Sequence, residues 1–108
     1  MDIAGLKAFR ERAHFDEWEG YVDPVHVTAS RAVLASLVDE VLALGDPLPA
    51  LRVEAAVARA VESFNALDAE SGWIMTIERE AIADALCEVA DLAGIDYDPE
   101  ELLADRDW

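Results

Sequence analysis

The chain has 108 residues, 54% of them hydrophobic, and carries 24 acids against 8 bases for a formal charge of −16. Its length predicts one domain over residues 1–108, with apolar residues enough for a core of its own. So negative an exterior repels phosphate backbones and anionic headgroups, which excludes nucleic acid and membrane surfaces as partners and favours basic proteins.

The opening "MDIAGLKAFRER" places Asp2 where a secretory signal needs positive charge, and no stretch approaches the ~20 apolar residues of a membrane helix. The single cysteine, Cys87, excludes an internal disulfide framework. Together these features predict a soluble protein of the reducing cytoplasm.

Ile3, Leu6, Phe9 and Ala13 recur at intervals of three and four, which predicts a first helix over about 2–13 whose early turn Gly5 weakens. The next stretch, "RERAHFDEWEGYVDPVH" from Arg10 to His26, holds both histidines and a cluster of aromatic residues. A second helix is expected over about 30–44, capped by Thr28 or Ser30 and stopped by Gly45 and Pro47, with Val33, Leu34, Leu37, Val38, Val41 and Leu42 on its apolar stripe. After "GDPLP", Val53, Val57, Ala60, Val61, Phe64 and Leu67 predict a third helix over about 50–69.

The apolar connector "GWIMT" is too isolated to found a sheet. Thr76 is then expected to cap a fourth helix over 76–93, with Ile82, Ala85, Leu86, Val89 and Ala93 buried and Gly94 ending it. Asp98 and Pro99 open a short last helix, from which Leu102, Leu103 and Trp108 can pack back. The predicted fold is all-α, a compact bundle of four main helices plus a short C-terminal one.

Two features of the Arg10–His26 stretch bear on function. Phe15, Trp18 and Tyr21 alternate with Glu17, Glu19 and Asp23, a pattern of aromatic anchors ringed by acids that suits a basic protein partner. Trp18 and Tyr21 are the expected anchors, with Glu17, Glu19 and Asp23 as their rim. The same stretch contains Glu11-x-x-His14 and Asp23-x-x-His26, the carboxylate–histidine spacing of metal sites in helical bundles. The alternative is therefore a metal-binding bundle or enzyme using Glu11, His14, Asp23 and His26 with a helical glutamate, Glu54, Glu62 or Glu78. Pro24 opposes it, because proline fits only the first turn of a helix.

Charge is uneven along the chain. Residues 1–27 hold six acids and three bases, and residues 76–108 hold eleven acids and two bases, a net −3 against −9. If Asp84, Glu88 and Asp91 lie beside Asp96, Asp98, Glu100, Glu101 and Asp105, one acidic face results, suited to a basic enzyme or a DNA-binding protein.

No nucleophile elbow, glycine-rich phosphate loop, H-E-x-x-H or calcium loop occurs. Cys87 has acids as its helical neighbours, which disfavour a thiolate. The sequence thus predicts a non-catalytic interaction domain without a cofactor, an inhibitor or immunity-type antagonist of a basic protein. The apolar surplus adds a third reading, a homo-oligomer.

Overall fold

The computed structural model describes residues 1–45 and 49–108, which form α1 (Ile3–Glu11), α2 (Pro24–Leu42), α3 (Ala50–Ala69), α4 (Thr76–Ala93) and a single-turn α5 (Pro99–Leu102). A 3-10 turn, Asp16–Trp18, stands between α1 and α2. The fold is the expected all-α bundle of four main helices and a short last one. The helix stop expected from Pro47, and the middle of "GDPLP", lie outside the described residues.

Helix α3 has the expected bounds, and so does α4. Helix α2 does not: it begins six residues early, at Pro24, and Asp23 caps it by accepting from the Val25 amide at 2.9 Å. Neither Thr28 nor Ser30 is its cap. Proline at the first helical position loses no hydrogen bond and brings a helical φ, so Asp-Pro outcompetes the later candidates. Thr76 is not a cap either. Met75 holds that position, and the Glu78 carboxylate reaches back to accept from its amide at 3.0 Å.

Helix α1 is tied down at its start. Asp2 accepts from the Gly5 amide at 2.8 Å and donates its own amide to the Leu92 carbonyl at 2.7 Å. A Cβ built on Gly5 would stand 2.7 Å from Leu92, so this glycine permits a close approach of α1 to α4.

Helices α2 and α3 pack along each other, α1 lies on α2 and α4, and α5 leans on α3. Leu34, Val38, Val41, Val53, Val57, Val61, Phe64, Ile82, Leu86 and Val89 fill the centre. Each such side chain contributes about 1.5–3 kcal/mol by leaving water. Leu103 and Trp108 return to this core as expected, and the Trp108 ring meets Phe64 edge-on at 6.3 Å.

Candidate functional site

The Arg10–His26 stretch owes its shape to one backbone choice. Phe15 adopts a left-handed conformation, φ 66° and ψ 25°, which costs a bulky residue about 1–2 kcal/mol. It reverses the chain after α1 and drives the ring inward, where it stacks on Trp18 at 4.0 Å. Trp18 in turn meets the edge of Trp73 at 5.7 Å, and His26 stacks flat on Trp73 at 4.7 Å. The Trp73 indole donates to the Leu67 carbonyl at 2.9 Å. The connector is pinned by Asp68, which accepts from the Ile74 amide at 2.9 Å.

Of the expected binding residues, Trp18 is therefore misplaced on the surface: it is fully buried. A ring of that size gains more by stacking between Phe15 and Trp73 than by display. Tyr21 is the aromatic residue left outside, 58% exposed. Glu17 and Glu19 are exposed around it, while Asp23 is exposed but already occupied as the α2 cap. Partial loss of water, with the charges of Glu78 and Glu17, raises the Tyr21 phenol above its ordinary value.

The alternative metal set does not come together. His14 faces inward, its Nε2 donating to the Phe9 carbonyl and its ring 4.2 Å from that of Phe9. His26 lies flat on Trp73, Glu11 is exposed beside Arg10, and Asp23 caps a helix. Among the described residues no three His, Cys, Asp or Glu side chains are grouped as ligands for one ion. Glu54 and Glu78 stand in different parts of the molecule, the first in a depression near the tail and the second at the start of α4.

The acids divide between two depressions instead of forming the single face expected of them. Asp84 and Glu88 turn toward α1 and line a groove of about 460 Å³ with Glu17, Glu80 and Ile77. The tail acids Asp96, Asp98, Glu101 and Asp105 gather with Glu54 of α3 around a second depression of about 570 Å³. Asp91 is linked to the tail through the Tyr97 hydroxyl, which lies 2.9 Å from its carboxylate and 3.1 Å from the Cys87 carbonyl.

Three arginines hold α1 and the 3-10 turn to their neighbours, and one of them, Arg12, lines the first groove. Arg10 grips Asp39 through two bonds of 2.8 and 3.0 Å, and Arg31 joins the His14 carbonyl at 2.7 Å to Asp16 at 3.0 Å. Arg12 pairs with Glu88, its guanidinium 4.9 Å from the centre of the Phe9 ring. Cys87 is half-buried, and burial with the charges of Asp91 and Asp84 pushes its thiol up, against a nucleophilic role.

Sequence reasoning missed Met75 and Ile77 as surface residues. They are 64% and 63% exposed at the start of α4, and the apolar run "GWIMT" reads as buried unless the cap at Met75 is known.

Among the described residues no helix is long and apolar enough to cross a membrane. No curated protein and no solved structure matches the chain. Residues 16–108 match the model of a family of unknown function (DUF5713), which covers the 3-10 turn, the Tyr21 segment and all helices after α1. With so much of its length matched, the chain belongs to that family.

Proposed function

We propose that the protein is a non-catalytic interaction domain that binds a basic protein, acting as an inhibitor or immunity-type antagonist in a reducing cytoplasm. The observation that carries this reading is Tyr21: a large amphipathic ring standing in solvent within the influence of Glu17 and Glu78, on a segment that also carries exposed Glu19 and Asp23, in a chain of net charge −16. An exposed aromatic side chain with a polar tip is a recurrent anchor of protein interfaces, and a carboxylate rim speeds the approach of a cationic partner. Trp18, buried between Phe15 and Trp73, does not itself make contact. The metal reading has no comparable support, because its four residues are separately engaged.

The test is capture of partners from native lysate on wild-type protein and on Tyr21→Ala, at low and at high salt. A basic protein retained at low salt, released at high salt and lost with Tyr21→Ala is the expected result. Equal retention by wild type and variant, or a protein alone at both ionic strengths, overturns the reading.

A further inference from the structure

Three of the large side chains left exposed are Tyr21, on the segment after the 3-10 turn, and Met75 and Ile77, at the start of α4 where Glu78 accepts from the Met75 amide at 3.0 Å. Glu17 connects them: its charge and that of Glu78 act on the Tyr21 phenol, and it lines the same groove as Ile77. That groove runs from Ile77 between α1 and α4. Along α4, Ile77, Glu80, Ala81, Asp84 and Glu88 recur at three- and four-residue intervals, so they form one stripe. At 1.5 Å rise per residue, Glu80, Asp84 and Glu88 follow one another at about 6 Å, the spacing at which a second helix repeats side chains four apart.

The groove already holds a guest of the expected chemistry. The Arg12 guanidinium lies against the face of Phe9 and pairs with Glu88, a ring-and-carboxylate setting that suits a planar cation. Both side chains of this pair are about half exposed, so the contact is weakly held and exchangeable.

We propose that the basic partner engages this surface with an amphipathic helix. Its apolar side covers Tyr21, Met75 and Ile77, and its arginine or lysine side chains enter the α1–α4 groove, where one takes the place of Arg12. The proposal rests on the reading of the protein as a binder of basic partners and specifies what is bound and where. Helix-in-groove recognition joins an apolar ridge to a charged row in this way.

The probe is a fluorescent amphipathic leucine–arginine peptide of about 18 residues, long enough for five turns, at about 0.15 M salt. Its comparison is a scrambled peptide of the same composition. Two pairs of variants with matched charge locate the contact. Glu80→Gln with Asp84→Asn in the groove is set against Asp96→Asn with Glu101→Gln in the tail, and Arg12→Ala against Arg52→Ala. All are on exposed side chains, and thermal melts verify that each folds.

The groove pair is expected to weaken binding about tenfold and the tail pair less than about twofold. Arg12→Ala is expected to tighten it by roughly threefold more than Arg52→Ala, since only the former vacates a position in the groove. Equal effects of the two pairs, equal binding of the scrambled peptide, or no binding of either peptide overturns the helix-in-groove proposal. Capture from lysate that is equal for wild type and Tyr21→Ala is the separate result that overturns the underlying reading.

Discussion

Around the 3-10 turn, Arg10, Arg12 and Arg31 each hold a carboxylate, on Asp39, Glu88 and Asp16. Beyond Gly94 the pattern reverses: among the described residues no lysine or arginine pairs with Asp96, Asp98, Glu100, Glu101 or Asp105. Arg106 lies over the Trp108 ring instead, at 5.5 Å. Two acidic segments thus put their charge to different use. In the first, acids and rings fix a shape and leave Tyr21 as its exposed aromatic feature. In the second, Asp98 caps α5 by accepting from the Glu100 amide at 3.0 Å, and the carboxylates, with no cation on them among the described residues, supply field, which acts over a Debye length of about 8 Å at physiological salt. A sequence's net charge does not distinguish the two; where its arginines fold to does.

The contrast can be broken most forcefully at Trp18. Trp18→Ala removes a ring packed between two others and is expected to cost about 3–5 kcal/mol in denaturant unfolding, whereas Tyr21→Ala stays within about 0.5 kcal/mol. Similar costs for the two would mean that the aromatic end is not ordered as described. Asp23→Ala, which removes the α2 cap, is expected to cost about 1 kcal/mol. A negligible change there would return the start of the helix to Thr28 or Ser30.

In the tail the sign reverses. Asp96→Asn with Glu101→Gln relieves repulsion and is expected to raise stability by a few tenths of a kcal/mol, within about 0.5, with the gain fading as salt is added. A loss of stability would reveal a structural role for those carboxylates. The smallest effect concerns Cys87. Its raised thiol pKa leaves less thiolate below the ordinary value near 9, so alkylation of native protein by iodoacetamide should lag that of unfolded protein from pH 7 to 9 and catch up only above it. The same sign holds for stability: the protonated thiol's advantage is full below the unfolded pKa and is lost as pH rises through the raised folded value.

The regular helices were legible because their apolar spacing has a single solution. Val53, Val57, Val61 and Phe64 share a face in any helix, and the bounds of α3 and α4 follow from Pro49, Gly72 and Gly94. The start of α2 was not, because "DPVHVTAS" offers Asp23, Thr28 and Ser30 as rival caps, and only Asp23 is followed by a proline already in helical φ. At the candidate site, the alternation of rings and acids does not tell which ring faces water. That was decided by Trp73, some fifty residues downstream, which supplies the partner for Trp18 and His26. Arg12 and Glu88, separated by 76 positions, are likewise joined only by the packing of α1 on α4.

Phe15 links the interior to the exterior of this end. Its left-handed backbone is accompanied by the ring's stacking on Trp18, so the two rings and the loop that carries Glu17, Glu19 and Tyr21 are expected to open as one cooperative unit. The amides of residues 16–22 then exchange with solvent deuterium in concert, at a rate governed by how often one benzyl group leaves its seat. A molecule that grips Tyr21 from outside slows that whole block, and the slowing can be read at backbone positions it never touches.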